Sequence, residues 1–362
     1  MGDVLRGLFK KAPAPPSDSV STKAEISVIP AIGYTLTTGL AVVLTGNVAF
    51  RTGPKSRIST IIASGDYSQK HQLTIPVQTS IWTHNNTWNL LGEYKYFKYP
   101  QSTYGLGSSS GIENEDPMDY IFVRLYQGAL RRVSNSFYLG GGYIFDTRWH
   151  ISDQGNNNGA PSDYARYGKA GQSTATGVTV NALYDDRDNS ISPAKGFYAG
   201  IQYRDNFRFL GSTTQWNSLV VDMRKFFRFP AGSDNVMAIW SYNWLILNGR
   251  PHYLDLPATS WDANTSTGRG YIQGRFRGAQ MVYLEAEYRF RLTTDGLLGG
   301  VLFVNGESFS AAPGTRLQAI QPAVGPGLRI KLNKTSKTNV AIDYGFGRQG
   351  SNGLFIDVGE AF

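Results

Sequence analysis

MVYLEAEYRFRL, residues 281–292, decides the fold. Val282, Leu284, Ala286, Tyr288, Phe290 and Leu292 form one alternating series, and Tyr283, Glu285, Glu287, Arg289 and Arg291 form the other. A period of two puts successive side chains on opposite faces of a strand. One face therefore carries four charges, which need water or each other, while the opposite face offers nothing polar except a Tyr hydroxyl.

The same period recurs outward from this stretch. In 338–346, Val340, Ile342, Tyr344 and Phe346 alternate with Asn339, Ala341, Asp343 and Gly345. In 177–187, Val178, Val180, Ala182 and Tyr184 oppose Thr179, Asn181, Asp185 and Arg187. Sixteen such runs are legible, near 24–35, 38–50, 56–66, 70–83, 86–98, 118–130, 135–147, 173–186, 195–207, 214–228, 235–247, 279–292, 296–308, 322–333, 337–347 and 353–362.

The connections between the runs say how they are arranged. Long ones (99–117, 148–172, 248–278 and 309–321) follow the fifth, seventh, eleventh and thirteenth runs, all odd-numbered. Those after even-numbered runs are mostly short, such as 51–55, 229–234 and 334–337, the longest being 186–194. In an antiparallel meander, odd connections share one rim and even ones the other. Long loops at one rim and tight turns at the other is the layout of an outer-membrane barrel. A soluble sandwich would not sort its loops by parity, and would turn polar faces outward. The expected fold is all-β, a 16-stranded antiparallel transmembrane β-barrel with a short N-terminal segment. Trp216, Trp240, Trp244, Tyr344 and Phe362 are expected to end its apolar faces as an aromatic girdle.

Composition agrees with a barrel and narrows its partners. Mean hydropathy is −0.28, and no apolar run approaches the roughly 20 residues that a membrane-crossing helix needs. A barrel shows lipid only alternate side chains, so its average hydropathy stays low. The absence of Cys excludes disulfides and thiolate zinc sites. A formal charge of +8 suits anionic lipid or nucleic acid, but the 35 Lys and Arg are dispersed, so the lipid bilayer is the expected partner and nucleic acid is not.

Residues 1–22 read as a leader and 23–362 as the barrel. Segment 3–11 is expected to form a short amphipathic helix, with Val4, Leu5, Leu8 and Phe9 on one side and basic residues on the other, and APAPPSDSVS at 12–21 reads as a linker. No 7–15-residue apolar core marks a secretory signal.

Three late stretches resemble the bacterial surface-antigen family, the BamA/TamA superfamily of outer-membrane barrels. YDDRDNSISPAKGFY (184–198) looks like that family's turn between the eighth and ninth strands, and GRGYIQGRF (268–276) like its long sixth extracellular loop. GLRIKLNKTSKTNVAIDYGFGRQGSNGLFIDVGEAF (327–362) looks like its terminal hairpins. The resemblance covers the C-terminal half well, and the first 130 residues only by pattern.

It implies a location in the bacterial outer membrane and a role in protein insertion, assembly or translocation. It also implies a sixth loop folded into the lumen, with Arg269, Gly270 and Tyr271 as its signature and Glu287 as the carboxylate that receives the arginine. Alternation independently puts Glu287 and Glu285 on the inward face, and a guanidinium in a partly dry lumen needs a well-placed carboxylate. The bland reading is that these arginines are solvated loop charges.

Where the family often shows an Asp on the next strand, this chain has Asn305, so a second ionic arm is not expected. Only about 23 residues precede the first run, so a periplasmic POTRA domain is not expected. Insertion would then need other outer-membrane proteins or an assembly complex as partners. A passive pore and a structural membrane protein are the alternative functions.

The remaining motifs carry little chemistry. GSSSG (107–111) matches a nucleophile elbow, but His71, His84, His150 and His252 show no supporting spacing, and a flexible loop is expected there. Asp185, Asp186 and Asp188 could hold Ca²⁺, but a structured turn is the better reading. No catalytic residue, metal or cofactor is expected. Pro30, which lacks a ladder donor, and Phe362 are placed at a weak seam between the first and last strands.

Overall fold

The computed structural model describes residues 23–35, 38–263, 265–332 and 337–362. The expected helix at 3–11 and linker at 12–21 lie outside the described residues. The chain forms sixteen barrel strands, each overlapping one of the sixteen alternating runs. They are β1 (Glu25–Thr35), β2 (Gly39–Phe50), β3 (Ser59–Ser68), β4 (Leu73–Trp82), β5 (Trp88–Lys98), β6 (Asp116–Ser134), β7 (Phe137–Asp153) and β8 (Gln172–Asp185). There follow β9 (Gly196–Asn206), β10 (Trp216–Arg228), β11 (Val236–Gly249), β12 (Gln280–Arg291), β13 (Leu298–Ser310), β14 (Gln321–Lys331), β15 (Asn339–Phe346) and β16 (Asn352–Val358).

Every consecutive pair is antiparallel. β1 and β16 come side by side. Among the described residues no ladder register joins these two strands, so the barrel is nearly closed rather than sealed. Pro30 sits in the β1–β2 ladder opposite Leu44 and points outward.

Alternation sorts the side chains as expected. Ile26, Val28, Val180, Leu284 and Val304 stand exposed on the exterior, while Glu285, Glu287 and Asp343 on the opposite faces are buried. A belt of exposed large apolar residues around a whole barrel is not a surface that water tolerates, and lipid is the solvent that suits it.

Four of the five girdle aromatics lie elsewhere than expected. Trp216, Trp240 and Phe362 are buried inside, and Trp244 packs against the interior; Tyr344 alone of the five is exposed outside. Trp240 donates its indole N–H to Asp222, 2.9 Å away, and stacks on Phe362 at 5.0 Å between ring centroids. Because a loop fills the lumen, the interior wall needs large apolar side chains too. Exterior aromatics at the short-turn rim come instead from Trp88, Tyr184, Phe227 and Phe229.

At the long-loop rim β6 and β7 run to 19 and 17 residues, well beyond the roughly 9–11 that cross a bilayer, and a three-residue strand, Gln101–Thr103, pairs with β6 there. GSSSG lies in this superstructure and is not a flexible loop. Ser108 is fully buried, its hydroxyl donates to Ala319 O at 2.7 Å, and its carbonyl accepts from Gln321 Nε2 at 2.6 Å.

Candidate functional site: the lumen loop

The connection between β11 and β12 turns back into the barrel. Its two arms pair loosely, with Thr259 N donating to Phe276 O at 3.0 Å and a bridge between Ala258 and Arg277. Asp262 holds the tip by accepting from the Ser266 and Thr267 amides at 3.1 and 2.9 Å. Tyr253, Leu256, Trp261, Tyr271 and Phe276 pack this loop against the wall.

Arg269, Arg275 and Arg277 are each no more than 2% exposed, which rules out the solvated reading for all three. Arg269 reaches three carboxylates at once: Glu285 and Glu287 on β12 and Asp343 on β15. Its guanidinium lies over the Phe303 ring, 4.0 Å from the centroid, and its carbonyl accepts from Asn305 Nδ2 at 3.0 Å. Burial alone would lower its pKa, but the three carboxylates prevail and hold it well above the ordinary value.

Two further arginines complete the cluster. Arg289 Nε donates to Glu287 at 2.7 Å; Arg329 Nε donates to Glu360 at 2.7 Å, and its other nitrogens reach Asp343. Three guanidiniums thus meet four carboxylates in a buried site. Such a cluster is stable only when nearly every charge has a partner.

The second ionic arm, not expected because Asn305 replaces an acid, is present and comes from Asp343. Asn305 serves the loop differently, as a donor to its backbone. Alternation had put Asp343 on the inward face; that it meets a residue 74 positions earlier could not be read from period two. Arg329 and Glu360 were missed for the same reason.

Glycine is required where the loop meets β15. Gly270 has φ +110°, and a Cβ there would stand 2.8 Å from Ala323 Cβ. A Cβ on Gly345 would stand 2.6 Å from Gly270 N. Two backbones touch here with no room for side chains. Tyr271 then anchors the turn, donating to Pro322 O at 2.6 Å and accepting from Arg348 N at 3.1 Å.

The other two arginines bind the loop to its surroundings. Arg275 donates to Ser110 O at 2.8 Å and Gln349 Oε1 at 2.7 Å, joining two neighbouring loops. Arg277 donates to Leu256 O at 3.2 Å and faces the Tyr253 ring. Burial lowers the pKa of both.

Phe362 does not belong to the seam. It lies across the lumen against Trp240 and Phe226, with its carbonyl accepting from Arg289. Asp185 is engaged by Arg57 and Arg187, Asp186 by the Phe197 amide, and Asp188 by the Ala194 and Lys195 amides. These carboxylates shape a turn, as the sequence suggested.

Below the loop the lumen is hollow. Cavities of about 490 and 390 Å³ share Thr60, Gln78 and Arg224 as lining. Toward the seam the larger one is lined by Ile29, Ala31, Ala41, Val43 and Ile62, together with the carboxylates Asp66 on β3 and Asp357 on β16. Against β5–β10 the walls carry paired charges instead, such as Arg124 with Asp146 and Arg224 with Asp222.

No protein-family model and no curated protein matches the sequence. Solved structures with the same fold include BamA from Haemophilus ducreyi lacking POTRA domains 1–3, with a TM-score of 0.55 and 12% identity over 93% of this chain and 69% of that one. CdiB from Acinetobacter baumannii aligns with a TM-score of 0.58 and 11% identity over 94% of this chain and 60% of that one. CdiB from Escherichia coli aligns with 0.58 and 10% over 93% and 67%. At such identities the likeness shows a shared barrel fold, and the chain spans about 60–69% of the length of these structures.

Proposed function

From this shared barrel fold, we propose that the chain is a bacterial outer-membrane barrel that inserts or translocates other proteins at the junction of β1 and β16, working with partner proteins. One observation carries the reading: among the described residues β1 and β16 lie side by side without a ladder register, while Arg269 ties the lumen loop to β12 and β15. A strand edge with unsatisfied amides and carbonyls is a template for another strand. Behind it the lumen wall from Ile29 to Ile62 is largely apolar, with the carboxylates Asp66 and Asp357 lining the same space. Arg269, Gly270, Tyr271, Glu285 and Glu287 would then act by keeping the loop fixed on β12–β15, off the ladder edges of β1 and β16.

The test is reconstitution in liposomes, with the folding rate of an unfolded outer-membrane barrel followed by its change in gel mobility. Faster folding that Arg269→Ala diminishes supports the proposal. A second reading, a passive pore, is favoured by the connected cavities below the loop. Steady conductance with no acceleration of folding would select it instead.

A further inference from the structure

The net charge of the chain is concentrated at one end of the barrel. Between the strand ends, the described short-turn connections (51–58, 83–87, 135–136, 186–195, 229–235, 292–297, 332 and 337–338) carry six Lys and Arg against four Asp, and the four strand residues nearest this rim on each strand add eight more against Glu25, Asp185 and Asp357. The opposite rim, counted the same way and leaving out the lumen loop, carries six against three in its connections and three against seven in its strand ends. Arg57 and Arg187 are committed to Asp185. Lys55, Arg131, Arg132, Lys195 and Lys225 are exposed, and among the described residues none of them faces a carboxylate within ion-pair distance.

Two of these cations stand on the exterior face beside aromatic rings. Arg131 lies opposite Trp88 in the β5–β6 ladder, and Trp88 is exposed. Lys225 lies opposite Phe197, with its ammonium 5.9 Å from the ring centroid, and Phe197 packs against the exposed Tyr184. A long basic side chain next to an indole or phenol on a lipid-facing surface belongs at headgroup depth, where the stem and ring stay apolar and the tip reaches phosphate.

We propose that the short-turn rim binds anionic phospholipid, holding its phosphates with Arg131 and Lys225 from the exterior face and with Lys55, Arg132 and Lys195 from the turns. The arrangement favours a leaflet over an acidic protein. A leaflet meets the whole circumference, and these cations are spread over about half of it, from the β2–β3 turn to the β10–β11 turn. Two of them point away from the mouth, where a protein docked over the opening would not reach. The inference needs only the membrane barrel and is independent of any insertion activity.

The experiment measures lipid selectivity of the full chain by spin-label resonance, comparing phosphatidylglycerol with phosphatidylcholine probes in phosphatidylcholine vesicles. A Lys or Arg near an anionic surface favours it by about fivefold, so the ratio averaged over the annulus should exceed roughly twofold in dilute buffer. It should fall toward one in high salt. Arg131→Gln with Lys225→Gln should lower it, while Arg208→Gln with Arg316→Gln at the opposite rim should leave it unchanged. Heat-modifiable gel migration verifies that each variant is folded. A ratio near one in the unaltered chain would overturn the proposal and leave an acidic protein as the rim's partner. A ratio indifferent to the Arg131 and Lys225 changes would overturn it as well.

Discussion

Replacing Arg269 by Ala removes the one side chain that ties the lumen loop to three carboxylates. Breaking a buried ion pair from one side costs about 3–5 kcal/mol, because the abandoned charge stays buried. The surroundings decide where in that range this site falls. Glu287 keeps Arg289, and Asp343 keeps Arg329, so Glu285 is the carboxylate whose remaining close partner is the Tyr283 hydroxyl. Arg275, Arg277 and Tyr271 still hold the loop. The lower end, about 3 kcal/mol, is therefore expected, and at 1.36 kcal/mol per decade it corresponds to roughly a hundredfold rise in local opening. Hydrogen exchange of peptides from 250–279, with β6 and β7 as internal reference, reads that opening directly. Adding Glu285→Gln to Arg269→Ala should recover most of the protection, since the stranded charge is then gone. Exchange within about threefold of the unaltered chain would refute the claim that burial of these charges locks the loop. So would a double variant as open as the single one.

Gly270→Ala should loosen the same loop by roughly 1–3 kcal/mol through its positive φ and the approach to Ala323, seen as faster proteolysis within 250–279. Asn305→Asp should also destabilise it, by about 1–3 kcal/mol, because the donor to Arg269 O is replaced by an acceptor; hydrogen exchange would detect this as well. Trp240→Ala removes a fully buried ring from beneath Phe362 and should cost about 3–5 kcal/mol, lowering the temperature at which the barrel loses its folded gel mobility.

Strand number, rim polarity and the inward faces of β8, β12 and β15 were legible because each strand meets charge on one side and lipid on the other. β11 shows where that logic fails. Its inward face carries Trp240 and Tyr242 while its outward face carries Ser241 and Asn243, so composition does not reveal its phase. The inserted loop is the reason: it makes part of the lumen as apolar as the exterior. Pairing would have resolved it, since Trp240 lies opposite Glu285, whose phase is unambiguous. Arg269 and its β12 carboxylates were anticipated from the loop motif together with alternation. Asp343, Arg329 and Glu360 were not, because contacts across a barrel depend on closure rather than on local pattern. Phe362 was assigned to the seam by its place in the chain, whereas its ring found an aromatic pocket on β10 and β11.

The central claim is that function resides at the junction of β1 and β16. A chain without cysteine allows cysteine pairs to be scanned along these two strands with no background thiols. The decisive measurement is the folding rate of an unfolded outer-membrane barrel in liposomes holding such a pair, oxidised and then reduced. The account predicts that acceleration disappears when the junction is locked and returns on reduction. Acceleration that persists across a locked junction, or none in the unaltered chain, would contradict it.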